Sequence, residues 1–240
     1  MSQDWISRTQ LLIGDENIER LRNAHVLIAG LGGVGAFAAE MVCRAGVGKM
    51  TILDGDEIIA SNRNRQLLAL SSVEGQRKAT LMAHRLLDIN PDLDLVVIDD
   101  FLRDEKTGIL LSNHYDYVID AIDTLAPKVF LIYETMQRGL KLVSSMGAGG
   151  KINPALVQIA DVADSHSCKL AYFIRKRLHH LGIRTGFKVV FSPEPVSRES
   201  KLLIDNEQNK KSTVGTISYM PAIFGCQCAS VAIRDIIGGA

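Results

Sequence analysis

The chain carries no excess of charge: 27 Lys and Arg balance 27 Asp and Glu over 240 residues. Attraction to nucleic acid or an anionic membrane through net charge is thereby excluded, and such a partner must meet a local patch. Cysteine is scarce, and Cys43, Cys168, Cys226 and Cys228 form no Cys-x-x-Cys pair. That removes zinc-ribbon and disulfide-framework scaffolds. Cys226 and Cys228 lie two apart in an apolar, predicted helical segment, so they share no face and read, with Cys43, as buried inert thiols. Cys168 is the thiol expected to be accessible. The opening stretch, MSQDWISRTQ, has no basic region followed by an apolar run. No secretory leader is expected, and a reduced, cytoplasmic setting is. The most apolar stretch, 217–233, is interrupted by Ser218, Pro221, Gly225, Gln227 and Ser230. It reads as a helix buried at a core or subunit contact rather than a membrane span. There is no internal repeat and no low-complexity tract.

What is present is an alternation of strand-length apolar runs with segments of helical period. Strands are predicted at 25–29, 49–53, 94–99, 115–122 and 140–146, and helices near 33–45, 72–88 and 127–138. Near-continuous Val, Ile and Leu in the strands predicts the α/β class: a Rossmann-type, largely parallel sheet with helices on both faces. Beyond residue 154, strands are predicted in ALVQIAD (155–161) and GFKVVFS (186–192), around a basic amphipathic helix near 167–181. The polar, glycine-free 197–213 reads as a mobile surface loop.

The stretch LIAGLGGVGAFAAEM (27–41) is a predicted strand, glycine turn and helix. Gly30, Gly32 and Gly35 meet the G-x-G-x-x-G fingerprint, with Gly33 additional. The first allows the tight turn, the second lets backbone approach a phosphate, and the third lets helix and strand pack closely. Amides at the helix start then face the anion. Asp54 ends the second strand nineteen residues after Gly35, where a ribose-binding acid is expected. To this point NAD and ATP fit equally.

The next segment separates them. DGDEIIASNRNRQLLAL (54–70) sets Asn62, Arg63, Asn64, Arg65 and Gln66 just past the strand end. NAD has no use for two arginines and three amides there, whereas a triphosphate needs fixed donors for its extra charge. Lys78, in GQRKAT, stands early on the following helix and adds a point charge. Asp123, in DAIDT, ends the fourth strand. Open parallel sheets bind ligands at such carboxyl ends, so Asp123 can face the phosphates and hold Mg²⁺.

GLGGVG, LDGDEIIASNRNRQ, GQRKAT and DAIDT together resemble the ubiquitin-activating-enzyme-like adenylyltransferases over about residues 6–150. In that superfamily ATP adenylates a carboxylate and releases pyrophosphate. The resemblance implies Asp54 as ribose ligand, Gly33 in the nucleotide loop, Asn62, Arg65 and Lys78 as the phosphate-binding, charge-stabilising set, and Asp123 as the Mg²⁺ ligand. SRTQLLIG (7–14), MGAGGKINP (146–154), VVFSPEP (189–195) and GTISYMPAIFG (215–225) are similar to its tRNA threonylcarbamoyladenosine dehydratase branch. That branch implies ATP-dependent dehydration of threonylcarbamoyladenosine at position 37 of tRNA, acting as a homodimer. The alternative within the superfamily is activation of a ubiquitin-like sulfur carrier at its C-terminal carboxylate. Arg8 and Gln10 are separated by Thr9, unlike the adjacent pair of many sulfur-carrier activators, and no role is assigned to Arg8. A monovalent cation near the C-terminal loops, and sulfur-transfer or accessory proteins, are left open. The expected organisation is one adenylating domain over 1–240, with 1–150 binding nucleotide and 151–240 completing the sheet and the interface.

From Ser165 to Pro193 there is no acidic residue, but Lys169, Arg175, Lys176, Arg177, Arg184 and Lys188 with His166, His179 and His180. Such a face suits RNA phosphates. Equally it suits a solvated amphipathic helix with Leu170, Phe173, Ile174, Leu178 and Leu181 packed inward, and the two can occupy opposite faces.

Overall fold

The computed structural model describes residues 4–238 except 103, 198, 208 and 209, with backbone alone at 4, 104–105, 201–207 and 210–213. Two short helices, α1 (Ser7–Ile13) and α2 (Asp15–Asn23), precede the alternating part. That part runs β1 (His25–Ala29), α3 (Gly35–Arg44), β2 (Lys49–Leu53), α4 (Lys78–Ile89), β3 (Asp94–Ile98), α5 (Asp104–Leu110), β4 (Tyr117–Asp120), α6 (Leu125–Gln137) and β5 (Leu142–Ser145). It continues as β6 (Gln158–Asp161), α7 (Lys169–His180), β7 (Lys188–Phe191), β8 (Lys201–Glu207), β9 (Lys210–Val214) and α8 (Tyr219–Ile236).

Seven strands form one sheet in the order β3-β2-β1-β4-β5-β7-β6. Every pairing is parallel except β6 with β7. The strands divide their side chains between two cores with a period of two. Val26 and Ile28 of β1, with Met50 and Ile52 of β2, meet residues of α3, α4 and α8 on one face. Leu27 and Ala29, with Val118 and Val189, meet residues of α6 and α7 on the other. Burial on both faces is why these strands read as unbroken apolar runs.

β1 lies between β2 and β4, so the winding direction reverses there. Ligands of such sheets bind in the crevice outside the carboxyl ends at that reversal. The glycine turn leaves β1 and the Asp123 turn leaves β4 on the two sides of this point.

Three expectations are corrected. Segment 197–213 is an antiparallel hairpin of β8 and β9, with Leu202 opposite Thr213 and Leu203 opposite Ser212. Its average polarity hides two short β-forming runs, Leu202–Ile204 and Ser212–Val214, which cross-strand pairing brings together. Cys168 is buried, because the turn before α7 directs it into the core that α6 and α7 share with the sheet. Cys226 is exposed, because it turns away from the face of α8 that buries Cys228. No helix among the described residues is long and apolar enough to cross a membrane.

Candidate active site

The glycine turn is shaped by close approach of backbone. Gly30 has φ +91°, and a Cβ there would lie 2.8 Å from the Ala121 carbonyl oxygen. A Cβ on Gly35 would lie 1.7 Å from the Gly30 oxygen, so the first turn of α3 closes only on glycine. Gly33 faces Pro221 at the start of α8, with the Arg65 carbonyl alongside. Gly32 differs: a Cβ there would meet nothing closer than Gln66 Nε2 at 3.8 Å. The protein's own packing does not require glycine at that position.

Asp54 fastens this turn to the end of β2. Its Oδ2 accepts from the Leu31 amide at 2.6 Å and its Oδ1 from the Asp56 amide at 2.8 Å. Burial raises its pKa, opposed by the charge of Lys78 and by those two amides. Lys78 is itself 4% exposed and donates to Asp56 Oδ2 at 2.9 Å. A lysine as the first residue of a helix opposes the macrodipole, so Lys78 is placed against local preference and held there by an acid from another element. Asp56 was not among the predicted site residues. Only its position two beyond Asp54 could have suggested it, since the pairing crosses 22 residues.

The segment after β2 folds back over the glycine turn. Asn62 is buried, its Oδ1 accepting from the Ile59 amide at 3.3 Å and its carbonyl from the Arg65 and Gln66 amides. Arg65 is fixed by its donations to the Ser61 carbonyl and the Asn64 Oδ1, both 2.8 Å. Asn64 donates to the Thr216 carbonyl at 2.9 Å, tying the segment to the approach to α8. Gln66 Oε1 is a buried oxygen without a hydrogen-bond partner, beside Gly32. An orphaned acceptor at that depth marks a place where a ligand or water donor belongs.

Asp123 is exposed at the carboxyl end of β4. Beneath it lies a pair that sequence reasoning missed. Asp120 and Lys128 are fully buried and 2.7 Å apart. Ser144 Oγ donates to Asp120 Oδ2 at 2.6 Å, and Lys128 Nζ donates to the Ile122 carbonyl at 3.0 Å. The pair anchors the residue immediately before Asp123. A lysine eight residues after an aspartate gives no signal of this in the sequence. A second missed feature is a cavity of about 190 Å³ at the ends of β2 and β3, with apolar walls from Leu53, Ile98, Phe101 and Leu110 and a polar side from Asp100, Lys106 and Asn113.

The predicted glycines, Asp54, Asn62, Asn64, Arg65, Gln66, Lys78 and Asp123 thus all stand at the carboxyl edge around the winding reversal. Outside it, Arg8 is exposed on α1. Of the basic stretch 169–188, Arg175 is spent on the Ser165 carbonyl and Lys188 on Asp235.

The ThiF family profile matches residues 6–239. The chain belongs to the ThiF family. It is 36% identical over 238 residues to the tRNA threonylcarbamoyladenosine dehydratase of Bacillus subtilis, covering 96% of this chain and 94% of that protein. The crystal structure of the Escherichia coli tRNA N6-threonylcarbamoyladenosine dehydratase in complex with ATP superposes with a TM-score of 0.89 at 33% identity, covering 98% of this chain and 96% of that one. The molybdopterin-synthase adenylyltransferase of E. coli is 37% identical over 108 residues, 45% of this chain and 43% of that protein.

Proposed function

We propose that the chain is an ATP-dependent tRNA threonylcarbamoyladenosine dehydratase. The observation that carries this is the extent of the likeness. It runs through both the nucleotide-binding part and the C-terminal part for the dehydratases, and through less than half the chain for the molybdopterin-synthase adenylyltransferase. Activation of a sulfur carrier is therefore the weaker reading.

In this proposal ATP lies across the glycine turn. The amides at the start of α3 and the free approach at Gly32 receive phosphate, with the Gln66 side-chain amide alongside. Asp54 or its neighbour Asp56 meets the ribose. The base lies in the cavity beside Phe101, against its apolar wall. A carboxylate oxygen of the threonyl group attacks the α-phosphorus, and the bond to the β-phosphate oxygen breaks to release pyrophosphate. Arg65 and Lys78 stabilise the negative charge that develops, with Asn62 and Asn64 holding the segment that presents Arg65. The ureido group of the same nucleotide then attacks the activated carbonyl. It gives up a proton as AMP leaves, so the nucleoside has lost the elements of water. Ring closure is intramolecular, and proximity supplies much of that step. Burial pushes the Cys43 and Cys228 thiols up to about 12, and no protein nucleophile is needed.

Among the described residues no group of three His, Cys, Asp or Glu could hold a metal alone. Mg²⁺ characteristically binds through one or two carboxylates together with substrate phosphates, and Asp123 fits that use. Bound there, Mg²⁺ would supply neutralisation of the leaving pyrophosphate. One adenylating domain over 1–240 fits this scheme, as does a cytoplasmic site of action on tRNA. A homodimer is proposed from α1, which buries none of its side chains and leaves Leu11 and Leu12 87% and 84% exposed.

The test is to incubate the protein with ATP, Mg²⁺ and tRNA bearing threonylcarbamoyladenosine, digest gently and weigh the nucleosides. The expected product is lighter by one water, with AMP formed in equal amount. An unchanged nucleoside, with AMP formed only when a carrier ending in Gly-Gly is added, would overturn the reading in favour of sulfur-carrier activation.

A further inference from the structure

α7 buries Ala171, Ile174 and Leu178 and turns its remaining face to solvent. Phe173, expected inward, is 39% exposed and Tyr172 is 53% exposed. The two rings pack edge to face with centroids 5.4 Å apart, and Lys169 Nζ stands 5.9 Å from the Phe173 centroid. Lys176 and Arg177 are exposed on the next turn. None of these three cations forms an ion pair among the described residues. Two adjacent exposed aromatics flanked by cations that no ion pair engages match the stacking platform and charged track that hold unpaired nucleotides.

Their location supports the match. A Cβ on Gly147, just past β5, would lie 3.8 Å from Leu170 Cβ, so the first turn of α7 sits at the carboxyl edge of the sheet. β5 neighbours β4, the strand that leads to Asp123. With strands about 4.8 Å apart, β5 is displaced by two strand spacings, on the order of 10 Å, from β1 along the carboxyl edge, and the first turn of α7 lies in the helix layer beside it.

We propose that this face of α7 binds unpaired anticodon-loop nucleotides beside the reacting adenosine. Tyr172 and Phe173 stack on a base, while Lys169, Lys176 and Arg177 meet phosphates. The inference rests on the reading of tRNA as substrate. It commits to RNA because every charged side chain on α7 is basic and the exposed apolar side chains at its centre, Tyr172 and Phe173, are aromatic.

The experiment compares the wild-type protein with Tyr172→Ser/Phe173→Ser on modified tRNA. The KM for tRNA is expected to rise about 10- to 100-fold, with kcat at saturating tRNA and the KM for ATP unchanged. 2-Aminopurine placed at an unpaired anticodon-loop position should be quenched on binding wild type and not the variant, and Tyr172→Phe should keep the quenching. Should the double variant fold poorly, Lys176→Ala/Arg177→Ala removes only exposed charge. It should reduce the slope of log KM against log salt by about 1–2. Wild type that leaves the nucleoside unchanged would overturn the substrate reading itself. Active wild type with unchanged tRNA KM, quenching and salt slope in these variants would overturn this surface alone.

Discussion

Single residues in this molecule separate folding from ligand binding unusually well, and Gly32 is the sharpest case. Its Cβ space is open in the protein, so Gly32→Ala should melt within a degree or two of wild type. If its role is to let a phosphate approach, the same variant should lose the stabilisation that ATP confers, about 2.7 kcal/mol at a hundred times Kd. Thermal melts with and without ATP read both quantities, and a variant still stabilised by ATP would remove Gly32 from the site. Lys128 is the opposite case. Lys128→Met strands the fully buried Asp120 charge and should cost about 3–5 kcal/mol in denaturant unfolding. Asp120→Asn/Lys128→Met removes that charge and should recover most of the loss. It still lacks the donation to the Ile122 carbonyl, so pyrophosphate release should stay depressed if this pair positions Asp123. Glu40 sets an acid limit on stability. It is 6% exposed, and although burial works against its charge, hydrogen bonds from Arg85 and Arg44 hold its pKa below the usual carboxylate value. A depressed folded pKa means that this stabilisation is complete above the unfolded value, about 4.5, and lost as pH falls through the lower folded one. Glu40→Gln should therefore flatten the acid limb of an unfolding curve measured between pH 6 and pH 3, in experiments whose range is chosen to be on the order of the carboxylate pKa.

At the scale of elements, the parts legible in the sequence are those whose period reports burial directly. β1 and β2 occupy the predicted 25–29 and 49–53 because both faces are covered past their half-buried first residues, and all the covered positions but Thr51 are apolar. α5 escaped because seven residues are too few to show a helical period, and the β8–β9 hairpin because its polar stretch shows no strand alternation. The closeness of the glycine turn, Asp54 and the Asn62–Gln66 segment was legible because a strand end, a tight turn and the chain just after them lie at short spacing. Asp56 with Lys78, and Asp120 with Lys128, were not, because their meaning comes from partners on other elements. Contact between α3 and α8 is another such long-range fact. A Cβ on Gly225 would sit 2.4 Å from the Val34 carbonyl oxygen and 2.9 Å from Phe37 Cβ. Gly225→Ala must push α8 away from α3, at a cost of about 1–3 kcal/mol. Since Pro221 on the same helix faces Gly33, ATP affinity should weaken as well. Unchanged melting and unchanged ATP binding together would show that the two helices can separate freely at this crossing.

At the scale of the whole molecule, α1 presents an apolar surface that one protomer leaves uncovered. Adjacent leucines at 87% and 84% exposure, on a helix that buries none of its own side chains, are a poor arrangement for a lone protomer in water. Ile59 and Leu70, 55% and 60% exposed, add apolar surface in the segment that carries Arg65. A second copy is the simplest occupant, since a twofold contact lets one apolar patch cover its own equivalent. A stable pair buries about 1,600 Å² in total, more than two leucines supply, so these residues would be the centre of a wider contact. Sedimentation should find wild type as a dimer at micromolar concentration and Leu11→Asp/Leu12→Asp as a monomer with its far-ultraviolet spectrum intact. The same variant tells whether the site is complete within one chain. Dehydration per protomer that matches wild type would mean that one copy suffices. Loss of turnover with ATP binding retained would mean that the partner's contact completes the tRNA end of the site. A wild-type protein that sediments as a monomer would leave the apolar face of α1 to some other ligand and remove the dimer from the scheme.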